Sequence, residues 1–348
     1  MGNSAGNAAV GEVLDSNPST VEKLARIWQE VLGAAPLTPE QNFFEAGGTP
    51  RLAIQLCDQI CTGFGYTLAP LALYLAPTPL ALARVITQRA PVSFSNALLL
   101  KSGPLTPPIF LFHGIGGNVM EFFELVQHLK CQHPVCGLQA KGSDGLEPPL
   151  DSVGDMAEYH LKAIREVQPR GPYLLCGYSF GGLIAVEIAR KLSGLGETIA
   201  MLTMIDAYPH PRHLPTAQRY ESYVQRVRDR VRRVLGDTTT SSQTANESQK
   251  LSERICGSAI RPVTQAARAA LHLYTPKRYS GTVHFVSPEI RTVFPGDPTG
   301  PWGGLIGQLT KEKVPGAHHG MLQTSAVPLA AALSRQVMEA VGRQSSNC

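Results

Sequence analysis

The residues with the types and spacing for chemistry lie in the second half of the chain. Gly177-Tyr178-Ser179-Phe180-Gly181-Gly182 fits Gly-x-Ser-x-Gly, directly after the apolar run YLLC and directly before an apolar helical stretch. At such a strand-to-helix turn the serine takes strained backbone angles, and only small residues two positions either side avoid clashes. The competing reading is a structural glycine-rich turn. A serine hydroxyl is a weak nucleophile at neutral pH, so it needs a base and a group that orients the base. Asp206 ends the apolar run AMLTMID, where a strand adjacent to that of Ser179 would bring it to the same sheet edge. A helix cap or strand-end turn is the alternative for this aspartate. Of ten histidines, order in the chain and placement after the last strand leave the adjacent pair His318 and His319. One of them acts and the other packs or faces solvent. His113-Gly114-Ile115-Gly116-Gly117 follows an earlier strand and has the look of an oxyanion loop. Its backbone matters more than its imidazole: the N–H groups of Ile115 and Phe180 could hold the oxyanion of a tetrahedral intermediate.

These positions require a sheet with its loops gathered at one edge. Short apolar runs at Ile109–His113, Val135–Leu138, Tyr173–Cys176 and Ala200–Ile205 alternate with helical stretches near Val153–Val167 and Gly182–Leu195. That alternation predicts an α/β fold with a mostly parallel sheet. Gly281–Val286 and a short Lys311–Val314 are further strand candidates, and a closing helix is expected near Val327–Val341. Between Ile205 and Gly281 the pattern breaks in an insertion too long for a simple crossover, which reads as a helical subdomain. Within it Tyr220, Val224, Val227, Val231 and Val234 recur at helical spacing with arginines between them, a solvated helix face.

The first part of the chain follows a different pattern. Residues 1–19 are small and polar and read as a flexible N-terminus. From Val21 the run VEKLARIWQEVLG puts Leu24, Ile27, Trp28, Val31 and Leu32 on one helical face, with Ser19 or Thr20 as its cap. Further helices are expected over Arg51–Phe64 and Pro79–Arg89, which makes residues 20–90 a small all-α bundle. Residues 91–107 mix Pro, Ser and Gly without sustained periodicity and are expected to be a linker.

Composition narrows the setting. The 348 residues are 43% hydrophobic and 17% charged, which excludes a wholly disordered chain. A net charge of +4 is too small to imply nucleic acid. Seven cysteines without a CxxC pair, two of them inside strand-like runs, predict buried thiols rather than disulfides. No secretory signal and no apolar stretch of membrane-spanning length is found, so the expected location is cytoplasmic.

With these residues in view, the stretch 108–345 resembles the thioesterase domains that end nonribosomal peptide and polyketide synthetases. The likeness rests on PIFLFHGIGG, PVCGLQAKG, GPYLLCGYSFGG, Asp206 after MLTMI, and the G-x-H-x-x-M-L element Gly316–Leu322. It implies an α/β-hydrolase fold, a triad of Ser179, Asp206 and His318, and a helical lid over about 207–278. Residues 20–90 look like a peptidyl or acyl carrier domain, on IWQEVLG, NFFEAGGTPRLAIQL and APTPLALA. That family expects G-G-x-S-L, whose serine receives a 4′-phosphopantetheine arm. Here Gly47-Gly48 are followed by Thr49, Pro50 and Arg51; Pro50 has no hydroxyl, and Thr49 lies one position early. No cofactor is therefore expected on this chain, and no metal. The resemblance implies an acyl-thioesterase that takes its substrate from a separate carrier or larger synthetase, with neither nucleic acid nor membrane as partner. Release by transfer or cyclisation, and a non-catalytic docking module, are the alternatives.

Overall fold

The computed structural model describes residues 18–33, 38–89, 95–220, 260–290 and 297–345. The chain divides into two compact units, residues 1–92 and 93–348.

The smaller unit contains α1 (Pro18–Leu32), α2 (Pro50–Phe64), a short 3₁₀ turn Pro70–Tyr74 and α3 (Pro79–Gln88). Leu24 and Trp28, one turn apart on α1, are fully buried with Phe43, Leu56, Ile60 and Leu82. The Trp28 ring meets Phe43 edge-on at 5.4 Å between centroids. Both later helices open on threonine caps followed by proline: Thr49 before Pro50, and Thr78 before Pro79. The first helix starts earlier than its sequence suggests, at Pro18, so Ser19 and Thr20 lie inside it rather than capping it.

The larger unit is a seven-stranded sheet in the order β1-β3-β2-β4-β5-β6-β7. Its strands are β1 (Ala97–Lys101), β2 (Ile109–Phe112), β3 (Val135–Leu138), β4 (Tyr173–Tyr178), β5 (Ile199–Ile205), β6 (Tyr279–Pro288) and β7 (Ile306–Val314). All neighbours are parallel except β1, which runs antiparallel to β3. Among the described residues the helices are α4 (Phe123–His128), α5 (Val153–Val167), α6 (Phe180–Gly194), α7 (Ile260–Leu273), the one-turn α8 (Thr299–Trp302) and α9 (Ala326–Ser345). Side chains alternate across the sheet, as strand geometry requires. Leu202 and Met204 of β5 join the core formed with α5 and α6, whereas Thr203 between them donates to Gln336 of α9 at 2.6 Å. Helices therefore cover both faces, which explains why β2, β3 and β4 are apolar throughout.

The sequence expectations need four corrections here. The segment expected as a linker, 91–107, contains β1, an edge strand whose short apolar run ALLLK is flanked by the Ser, Gly and Pro residues that read as loop. β7 has nine residues rather than the four expected, because its exposed edge carries polar side chains that hide it. α6 begins at Phe180, immediately after the serine, rather than at Gly182. α4 was not expected at all. Of the insertion, residues 207–220 and 260–278 are described and supply α7; the valine and arginine stretch lies almost wholly outside the described residues, as does most of the N-terminus. The described cysteines 57, 61, 131, 136 and 176 are all free thiols. Among the described residues no helix is long and apolar enough to cross a membrane.

Each unit holds one of the two tryptophans, Trp28 and Trp302, so their fluorescence distinguishes them. In a Trp302→Phe background, Phe43→Ala should destabilise the smaller unit by ~3–5 kcal/mol through the cavity beside Trp28. Urea titration followed at Trp28 checks this; an unchanged midpoint would refute the role given to Phe43.

Candidate active site

β4 ends at Tyr178 and α6 begins at Phe180, so Ser179 alone makes the turn, with φ 52° and ψ −119°. Holding a non-glycine residue there costs ~1–3 kcal/mol. The strain is fixed in place from two sides. The Ser179 N–H donates to the Ile205 carbonyl at 2.8 Å, and the Gly182 N–H donates to the Ser179 carbonyl at 3.1 Å. The glycines two residues away are dictated by contact. A Cβ on Gly177 would lie 2.3 Å from the Gly181 carbonyl oxygen, and one on Gly181 would lie 2.3 Å from that of Phe112. Ser179 itself is part-exposed between the buried Tyr178 and Phe180, so its hydroxyl stands at the C-terminal edge of the sheet.

Asp206 is the residue after β5, again at positive φ (44°), with its N–H donating to the Val286 carbonyl of β6 at 2.8 Å. His318 opens the 3₁₀ turn that follows β7. The two are 2% and 4% exposed, and His318 Nδ1 lies 2.7 Å from Asp206 Oδ2. A carboxylate only accepts, so Nδ1 carries the proton in this bond and Nε2 is left with its lone pair in the neutral ring. The imidazole stacks on Tyr178 at 5.1 Å, and the Tyr178 hydroxyl donates to the His318 carbonyl at 2.8 Å. Since Tyr178 directly precedes Ser179, this packing seats the histidine beside the turn. His319 is exposed and touches His318 only edge-on, ring to ring.

The loop after β2 reaches the same edge. The Gly117 N–H donates to the Gly114 carbonyl at 3.1 Å, closing a turn that carries Ile115 at its crest. Among the described residues neither the Ile115 N–H nor the Phe180 N–H has an acceptor. His113 is buried, its Nδ1 donating to the Gly114 carbonyl at 2.7 Å. Burial holds its pKa down at about 4, against the opposing pull of its backbone hydrogen bonds, so the ring is neutral. α7 closes over this loop, with Val263 Cγ1 2.5 Å from where a Cβ on Gly117 would stand.

Two residues of the site escaped the sequence reading. Tyr178 occupies a variable motif position, and nothing in the motif signals its bond to His318. Glu121, whose carboxyl accepts from the Gly114 N–H, sits in VMEFFEL beside a second glutamate that makes it look like one of two surface charges.

In the smaller unit, the position where a carrier domain would bear its serine holds Pro50, which is buried at the first turn of α2. Thr49 Oγ1 is engaged as the cap, accepting from the Leu52 N–H at 3.3 Å. With no hydroxyl or N–H at Pro50 and the neighbouring hydroxyl committed, these residues do not fit a phosphopantetheine attachment.

Comparison with known proteins agrees with this geometry. The family model for the thioesterase domain matches residues 107–290. The chain belongs to the thioesterase-domain family. Ahead of this thioesterase domain, residues 22–86 match the family model for the phosphopantetheine attachment site, so a carrier-type unit precedes it. A dimodular nonribosomal peptide synthase of Bacillus subtilis is 35% identical over 190 residues, 54% of this chain and 8% of that protein. The chain thus spans less than a tenth of that relative. A crystal structure of a four-domain nonribosomal peptide synthetase, bound to AMP and glycine, aligns over 96% of this chain and 27% of its own, with TM-score 0.58 and 22% identity. The type II thioesterase BorB, from the borrelidin biosynthetic cluster, aligns over 69% of this chain and 96% of its own at TM-score 0.51 and 17% identity. Likeness at these identities is one of fold, that of the α/β-hydrolase thioesterases.

The close approach at Gly181 makes a prediction for this thioesterase domain. Gly181→Ala would drive a methyl into backbone oxygens of Phe112 and His113 at 2.3 and 2.4 Å, which cannot move independently of β2. Overpacking of this kind costs ~1–3 kcal/mol or more. Urea unfolding followed at Trp302 should show the loss, and a wild-type midpoint would contradict the packing described.

Proposed function

We propose that the chain is an acyl-thioesterase working through an acyl-serine intermediate, on an acyl or peptidyl thioester delivered by a separate carrier protein or larger synthetase. The observation that supports it most is the buried His318–Asp206 hydrogen bond beside the strained Ser179 turn. Ser179 Oγ attacks the thioester carbonyl carbon while its proton passes to His318 Nε2. Asp206 holds the ring in the required tautomer and balances the imidazolium in a site with little water to screen it. The oxyanion is received by the N–H groups of Ile115 and Phe180, the latter at the N-terminus of α6 where the helix dipole adds to the attraction. The C–S bond then breaks and the thiolate leaves with the proton from His318. Water attacks the acyl-serine, gives a proton to His318, and that proton returns to Ser179 Oγ as the carboxylic acid departs. Delivery in trans follows from Pro50: without an arm on the chain's own carrier-type unit, the thioester comes from elsewhere. The synthetase relatives support biosynthesis of a secondary metabolite as the setting.

A fluorophosphonate probe should label wild-type protein at Ser179, and Ser179→Ala should abolish labelling and lower thioester turnover by ~10⁴–10⁶. His318→Ala should approach that loss, whereas His319→Ala should stay within about tenfold, a barrier change of ~1.4 kcal/mol. Labelling that survives in Ser179→Ala, or the reverse ranking of the two histidines, would defeat the assignment. Products read by mass spectrometry after incubation with carrier-bound thioesters should be free acids; cyclic or transferred products would overturn hydrolysis while leaving the acyl-serine intact.

Delivery in trans has its own check. A phosphopantetheinyl transferase supplied with coenzyme A should leave the intact mass of the chain unchanged. A gain of one phosphopantetheine would mean that Thr49 or another hydroxyl accepts the arm, and loading in cis would replace delivery in trans.

A further inference from the structure

Gly114 is the pivot of the loop that presents the Ile115 N–H. Lacking a Cβ, it has the widest choice of backbone angles of any residue, and a donor attached to it points one way only if the flanking peptides are held. They are. The Gly114 carbonyl accepts from His113 Nδ1 and from the Gly117 N–H. In a trans peptide the C=O and the following N–H point in opposite directions, so these two bonds aim the Ile115 N–H away from His113. The preceding peptide is held by a side chain: Glu121 Oε1 accepts from the Gly114 N–H at 2.5 Å. Gly114 lies between the Tyr178 ring and the Glu121 carboxyl, since a Cβ there would stand 3.1 Å from Tyr178 Cδ1 and 3.3 Å from both Glu121 oxygens.

The base under Glu121 is itself fixed. Asn118 Oδ1 accepts from the Met120 N–H at 2.9 Å and Gln139 Oε1 accepts from the Val119 N–H at 3.1 Å, with Met120 and Phe122 buried on either side. A carboxyl is a costly choice of acceptor at such a place. Burial pushes its pKa up to about 7, more than the Gly114 N–H lowers it. Acid and carboxylate alike still offer an oxygen to the Gly114 N–H.

From this geometry we infer that Glu121 is a positioning residue of the thioesterase reaction, one that acts through Gly114 to aim the Ile115 N–H at the oxyanion. The inference rests on the serine-thioesterase reading above and adds to it a residue outside the triad and the oxyanion donors.

The test uses the full chain with an acyl-N-acetylcysteamine thioester, turnover being expressed per site titrated to completion with fluorophosphonate, so that misfolded protein is not counted. Glu121→Ala should lower kcat per site by about 10–100-fold, the scale of a small misplacement of catalytic groups, with KM changed less than about threefold. Glu121→Gln keeps an acceptor for the Gly114 N–H and should restore kcat to within about threefold of wild type. Should Glu121→Ala not fold, Glu121→Leu fills the same space without an acceptor and carries the same expectation. Wild-type kcat per site in the variant lacking an acceptor would overturn the inference, as would a Gln variant no better than it. A wild-type protein that neither labels nor turns over would instead bring down the serine-thioesterase reading, and this inference with it.

Discussion

The geometry at the sheet edge depends on the distance between β2, β4 and the start of α6. α6 begins one residue after β4 ends, and its first turn lies so close to the end of β2 that Gly181 has no room for a methyl group against the Phe112 carbonyl. That proximity forces Ser179 into positive φ and at the same time decides where its neighbours go. The Ile205 carbonyl that receives the Ser179 N–H belongs to the residue just before Asp206, so the bond holding the strained turn also sets the depth of the aspartate. The end of β2, pressed against Gly181, is where the Gly114–Gly117 turn departs. A single close contact thus fixes the serine, the carboxylate and the loop relative to one another, and the remaining parts are placed against them.

Burying a carboxylate and an imidazole costs free energy that only a good partner offsets. Asp206 is kept at positive φ by its bond to Val286, and its Oδ2 is met by His318 Nδ1. His318 comes from a turn after the seventh strand, far along the chain, and its bond to Asp206 would not by itself stop the ring from pivoting. Stacking on Tyr178 and the bond from its hydroxyl to the His318 carbonyl remove that freedom. The residue next to Ser179 therefore orients His318. The same ring flanks Gly114, so Tyr178 packs against both His318 and the loop after β2.

What could be read from the sequence follows from how each part is stabilised. Central strands buried on both faces are apolar throughout, and β2, β3, β4 and β5 were legible for that reason. β1 and β7 lie at the sheet edges: the five residues of β1 disappeared into an expected linker among Ser, Gly and Pro, and β7, with its polar exposed positions, was cut short. α6 was placed two residues late because its first turn is Phe-Gly-Gly, whose glycines read as loop while tertiary contact holds them in helix. The positions of Ser179, Asp206 and His318 at strand ends were legible, because a strained strand-to-helix turn constrains its own neighbours and strand order constrains the rest. Glu121 was not. Its role comes from a backbone N–H seven residues earlier, and no periodicity reports a bond from a side chain to a loop peptide.

The carrier-type unit shows the opposite separation, between residues that make a fold and residues that make a site. Its core is held by Leu24, Trp28, Phe43, Leu56 and Ile60, none of which a swinging arm would need. The start of α2 is even well suited to proline: the first helical position has no use for its N–H, and the fixed φ matches the helix. Thr49 caps the same turn with its hydroxyl. A proline at position 50 therefore suits the helix start, and the bundle core does not depend on a hydroxyl there. On the proposed function, the acyl group must then reach Ser179 on an arm carried outside this unit.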